Sequence, residues 1–157
     1  MFAEVKTETG SGSSPAGRLP MTELVARHSY LRDLSDKMIG EQDALARTVS
    51  AGQGRFAPDA MPAEMSALAD KLLAEIDELE QEIRILGYQM ELIEDVIFET
   101  PPRDPAEALA KLRFLSGQMQ DGYEFSPDYF ANVMEECSEL LDHGAVQGCE
   151  SLMAFHH

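Results

Sequence analysis

The chain has no tryptophan, two cysteines, and only 12 lysines and arginines against 29 acidic residues, a formal net charge of −17. A field of that sign repels phosphate backbones and anionic headgroups. It disfavours direct nucleic-acid and membrane-surface binding and leaves basic partners, or partners held by apolar contacts. Cys137 and Cys149 match no zinc or thioredoxin spacing. Two thiols in a chain able to build a core point to a reducing compartment, with one disulfide as the alternative. No run approaches the ~20 apolar residues of a membrane span. The opening MFAEVKTETGSGSSPAGRLP has neither the basic start nor the apolar centre of a secretory signal, so a cytoplasmic protein is expected. Gly10, Gly12 and Gly17 follow no strand and open no helix, which excludes a phosphate loop.

What is present is a long helical seam. From Met65, apolar residues recur at Ala69, Leu72, Ile76, Leu79, Ile83, Leu86, Met90, Ile93 and Ile97, alternately four and three apart. No strand or loop keeps that spacing. As a helix the stretch is roughly 50 Å long, more than a compact domain needs, so it requires a companion of similar length.

The companion is expected just upstream. Thr22 is placed as N-cap and Glu23 in the first turn, where a carboxylate suits the helix dipole. Leu24, Leu31, Met38 and Leu45 make one column at seven-residue spacing, with Val25, Leu34, Ile39 and Val49 as a looser second column. His28, Ser35 and Gln42 interrupt it at seam positions and read as register-setting polar residues. Gly40 marks a kink or break. Residues 51–62 hold two glycines and two prolines and read as the turn, with Pro62 in the first turn of the next helix and Glu64 just inside it. A short turn between long helices makes them antiparallel neighbours. Leu73, Ile85, Tyr88, Leu92, Val96 and Phe98 lie outside the seam and predict a further layer over the C-terminal half of the long helix.

That layer is available downstream. Proline after Thr100 ends the long helix. Asp104 is placed as the next N-cap, with Pro105 at the first position and Glu107 three residues after the cap, as in a capping box. Ala108, Leu109, Leu112, Leu115 and Met119 form its apolar stripe, and Asp121-Gly122 closes it. Ser126-Pro127 opens a last helix with the stripe Phe130, Val133, Met134, Cys137, Leu140 and Leu141, and Gly144 is its expected stop. The expected fold is all-α: a long antiparallel, coiled-coil-like hairpin with a second, shorter hairpin packed on its C-terminal half. In outline it comprises a disordered tail at 1–20, a helical domain at 21–144 with helices at about 22–50, 62–98, 104–120 and 126–143, and a short, partly flexible segment at 145–157.

The stretch ETPPRDPAEALAKLRFL resembles an element of small bacterial helical proteins of uncharacterised activity, some carried near prophages. Those proteins carry TPA, a short spacer and a GLxAKL-like helix after one long acidic helix. Here Pro102 stands beside the usual proline, and Glu107-Ala108 replaces the Gly-Leu. The resemblance implies a helical hairpin and carries no activity with it.

Chemistry-bearing clusters are few. Glu139 and His143 are four apart on one helix face and are the metal candidates, both weak. Di-iron bundles use Glu-x-x-His twice, a pattern this chain lacks, and an acidic exposed face with a histidine favourable at a helix C-terminus is the preferred reading of the pair. Cys137 sits on an apolar stripe, where a buried thiol is the ordinary outcome; a nucleophile would need His28 or His143 as base. Neither a catalytic residue nor a cofactor is assigned. The expectation is a noncatalytic interaction or adaptor module, working with a protein partner or as a homo-oligomer through the seam Leu72, Ile76, Leu79, Ile83, Leu86, Met90, Ile93 and Ile97, or through the outer stripe. The alternatives are an acidic nucleic-acid mimic that inhibits a basic partner and, third, a metal-dependent or cysteine enzyme.

Overall fold

The computed structural model describes residues 19–54 and 62–155, with side chains described as far as His143. Four helices follow in order: α1 (Met21–Gly54), α2 (Ala63–Glu99), α3 (Pro105–Gln120) and α4 (Pro127–Phe155). No strand occurs among the described residues. Residues 1–18 of the expected tail at 1–20, and 55–61 of the expected turn at 51–62, lie outside the described residues. The fold is the expected pair of helical hairpins. Its contacts divide into two compact units: Arg27–Val96, and the stretch before residue 27 together with the chain from Ile97 onward.

In the unit Arg27–Val96, α1 and α2 run antiparallel. His28 meets Glu94, and further along α1 Gln42 meets the earlier residue Ile76, so numbers rise on one helix as they fall on the other. Of the expected second column of α1, Val49 lies in the seam with Val25 and Leu34 half-buried beside it, and the polar residues read at seam positions take the rest. His28 and Ser35 are buried at 5% and 6% exposure, Gln42 is half-buried and Val49 is buried, whereas Ile39 is exposed. The seam of α1 is therefore Leu24, His28, Leu31, Ser35, Met38, Gln42, Leu45 and Val49, with polar residues interleaved among the apolar ones. The polar members are tolerated because they are partnered. His28 Nε2 lies 2.9 Å from Glu94 Oε1, and no buried side-chain nitrogen or oxygen among the described residues lacks a hydrogen bond. On α2, Leu86 is buried, while Leu72, Ile76, Leu79, Ile83, Met90 and Ile93 are half-buried, as expected when a single neighbouring helix covers one flank of a ridge. Gly40 neither breaks nor ends α1, which continues to Gly54. A glycine in a helix interior costs only about 1 kcal/mol against alanine, and the seam on either side outweighs it.

In the other unit, the first turns of α1 and the last of α2 share a core with α3 and α4: Met21, Leu24, Ile97, Ala108, Phe114, Leu115, Val133 and Cys137 are buried. Helix ends explain how the chain turns there. Ser126 caps α4 by accepting from the Tyr129 amide at 3.2 Å, and Pro127 follows at the first helical position. Helix α3 ends in a Schellman motif: the Gly122 amide donates to the Met119 carbonyl at 3.0 Å and that of Tyr123 to Gln118 at 2.9 Å. Gly122 takes φ 96°, which glycine alone adopts without steric cost. Helix α4 runs through the expected stop at Gly144 to Phe155, since a glycine that keeps helical φ does not terminate a helix.

Candidate functional site

Two features carry chemistry, one in each unit. The first is the outer face of α2. Of the residues predicted to lie under a further layer, Leu73, Ile85, Tyr88, Leu92, Val96 and Phe98, only Phe98 is half-buried. Ile85, Tyr88, Leu92 and Val96 are exposed at 55%, 61%, 67% and 43%, and Leu73 is exposed too. The geometry of α2 explains this: a step of about 100° per residue puts the four on one face, roughly 140° around the helix from the seam and out of reach of α1. Their spacing of three, four and four makes a continuous apolar stripe three turns long.

The second feature is a pair of buried charges on α3. The face that α3 buries is Glu107, Ala108, Lys111, Phe114 and Leu115, whereas Leu109 and Met119 of the expected stripe are exposed at 41% and 49%. Glu107 is 2% exposed and Lys111 also 2%. As expected, Asp104 Oδ1 accepts from the Glu107 amide at 2.8 Å. The Glu107 carboxylate, however, does not return to its own cap. Oε1 accepts from the Arg103 amide at 2.9 Å, the guanidinium contributes Nε and Nη2 at 3.1 Å each, and Oε2 accepts from the Met21 amide at 2.8 Å. Met21 is the first residue of α1, so the buried carboxylate replaces the expected Thr22 cap. Pro20 supplies the first helical carbonyl, to Glu23 and Leu24, and Glu107 satisfies a free amide where the helix dipole favours an anion. The Arg103 guanidinium holds the Glu107 carboxyl down to about 2, with the Met21 and Arg103 amides adding to it, against burial, which pushes the other way.

One turn on, Lys111 does the complementary job. Its Nζ donates to the Thr100 carbonyl at 2.7 Å and the Phe98 carbonyl at 3.4 Å, closing the C-terminus of α2, where the dipole favours a cation. Burial depresses its pKa, while Glu136 and Cys137 oppose the shift. The Tyr129 hydroxyl also donates to the Phe98 carbonyl at 2.8 Å, and burial, helped by Glu136, pushes the phenol up to about 12. Around this end Phe98 packs against Phe114, Tyr123, Phe125 and Tyr129 at centroid distances of 5.8, 5.5, 5.4 and 6.4 Å. A cleft of about 400 Å³ is lined by Phe98, Glu99, Pro101, Lys111, Tyr129, Asn132, Val133 and Glu136. Lysine, tyrosine and glutamate meet there, but Lys111 and Tyr129 donate to main-chain carbonyls.

No family model, curated protein or solved structure matches the chain.

The other candidates read from the sequence are dispersed. Glu139 and His143 are both exposed on α4, and no group of three or more His, Cys, Asp or Glu residues placed to hold a metal occurs among the described residues. Cys137 is free and fully buried, and burial raises its pKa, which suppresses thiolate character. The side chain of Cys149 lies outside the described residues. No described helix is long and apolar enough to cross a membrane. Glu107 and Lys111 escape notice as buried groups in the sequence, because a charge on a helix reads as solvent-facing. One signal points to their surroundings: of the chain's seven phenylalanines and four tyrosines, six fall between residues 98 and 130, which marks a core there.

Proposed function

We propose that the protein is a noncatalytic interaction module, cytoplasmic in setting, that presents the outer face of α2 to another polypeptide. The observation that carries this is the exposed stripe Ile85, Tyr88, Leu92 and Val96. Scattered exposed apolar residues are ordinary in a folded chain, but a contiguous row along one face is what helix-in-groove recognition uses as anchors. The buried charges support the same reading, since Glu107 and Lys111 are engaged in closing helix ends. The test compares wild type with Tyr88→Ser/Leu92→Ser by light scattering after gel filtration and by affinity capture from the native cell. Wild type is expected to associate, with itself or with a defined protein, and the variant to lose that association. A monomeric wild type whose captured set equals the variant's would contradict the proposal.

The net charge of −17 favours a second reading, an acidic mimic that occupies a basic nucleic-acid-binding surface. It requires that binding collapse at high salt; a complex unaffected by half-molar salt excludes it.

A further inference from the structure

The character of the partner follows from what borders the stripe, on the reading that the stripe is a docking surface. We propose that Ile85, Tyr88, Leu92 and Val96 receive an amphipathic helix of another protein whose apolar row is edged by lysine or arginine. A step of about 100° per residue around α2 places Glu91 and Asp95 along one border of the row, Glu82 on the opposite side one turn before Ile85, and Glu78 a further turn before it, all four exposed. The cation on these borders, Arg84, stands 3.6 Å from Glu80, another carboxylate of the same helix. An incoming helix must therefore bring its own flanking charges within a Debye length of four carboxylates, where positive ones are attracted and negative ones repelled. Four anchors over twelve positions of α2, eleven steps of about 1.5 Å, span roughly 16 Å, so three turns of partner helix cover them.

Charge and area both select this occupant over a second copy of the chain. Two copies meeting at the stripe would set the same carboxylate borders against one another. Four side chains of this size, each about half exposed or more, offer on the order of 400 Å² of apolar surface. A stable dimer buries about 800 Å² from each partner. A helix held by a small apolar row and reinforced by opposite charge fits a transient, micromolar contact.

The experiment uses the full chain and three labelled synthetic peptides of equal length, followed by fluorescence anisotropy. The first is an amphipathic helix with a leucine row and lysine borders, the second has the same row with glutamate borders, and the third is the lysine peptide scrambled. The first is expected to bind at micromolar concentration and about tenfold tighter than the other two, to weaken severalfold in half-molar salt, and to lose about tenfold against Tyr88→Ser/Leu92→Ser. Both substituted positions are exposed, and an unchanged thermal melt verifies that the variant is folded. Equal binding of lysine- and glutamate-bordered peptides would overturn the charge assignment while leaving helix docking in place. Equal binding of the scrambled peptide would overturn the role of the apolar row. Failure of all three to bind wild type would overturn this inference; the interaction reading falls as well only if the capture comparison above also finds no difference. A wild-type dimer dissociated by the double substitution would put a second copy on the stripe and overturn the proposal.

Discussion

Replacing Glu107 by glutamine should expose how strongly one buried carboxylate joins the start of α1 to the start of α3. In the folded chain it accepts four hydrogen bonds, from the Met21 amide and from the amide and guanidinium of Arg103. Its pKa falls from the ordinary 4.5 to about 2. At 1.36 kcal/mol per unit that drop corresponds to roughly 3 kcal/mol. Arg103 is 40% exposed, so solvent screens part of the attraction, and about 2 kcal/mol is the better expectation. The sign follows from linkage: a carboxylate whose folded pKa is depressed contributes stability fully present above its unfolded value, and that stability is lost as pH falls through the folded value. The wild type should therefore be about 2 kcal/mol more stable than Glu107→Gln at pH 7, and the difference should hold down to about pH 5 and shrink toward zero near pH 2. Comparing the two proteins at each pH cancels the relief of repulsion among the other acidic residues. Glu107→Ala should cost about 1 kcal/mol more, because it also leaves the Met21 amide without an acceptor. The assay is urea unfolding read in the near-ultraviolet signal of Tyr123 and Tyr129, which belong to the same unit. A difference that stays constant from pH 7 to pH 2.5, or one below about 0.5 kcal/mol throughout, would refute the reasoning.

Lys111→Met keeps the volume but removes the donor to the Thr100 and Phe98 carbonyls, and should destabilise the same unit by about 2 kcal/mol in the same urea assay. Lys111→Arg should not restore it, since a planar fork does not replace a compact ammonium in that closed space. A double-mutant cycle of His28→Ala with Glu94→Ala should give a coupling of about 1 kcal/mol, reflecting the 2.9 Å contact; additive effects would show that the contact contributes nothing. Two glycine replacements should move in opposite directions in thermal melts. Gly122→Ala should destabilise by about 1 kcal/mol because its φ is 96°, and Gly40→Ala, in an open helix interior, should stabilise by 0.5 to about 1 kcal/mol.

Features encoded by short-range signals are legible in the amino-acid order alone. The four-three spacing from Leu72 to Ile97 requires a long helix and a companion rod. Asp104-Pro105 and Ser126-Pro127 mark helix starts because capping uses residues three apart. Long-range terms are not legible. Glu107 and Met21 are separated by 86 positions, and nothing near either residue announces the other. Lys111 looks like a surface charge because the carbonyls it closes lie eleven and thirteen residues away. The polar part of the α1 seam is legible as position but not as partner. His28, Ser35 and Gln42 keep perfect seven-residue spacing with Val49, which puts them at seam positions, whereas the partner that makes a buried histidine acceptable, Glu94, lies 66 residues away. For the candidate site, spacing alone separates the apolar residues that lie outside the seam. Whether such residues are buried or exposed is a long-range property, which no local pattern encodes.

If the outer face of α2 is held against another polypeptide, a photoreactive side chain placed at position 92 and activated in cells that express the protein will capture it. A discrete crosslinked polypeptide is expected from position 92 and none from position 80, a similarly exposed site on another face of α2. Equal labelling from both positions, or none from position 92, would contradict the claim.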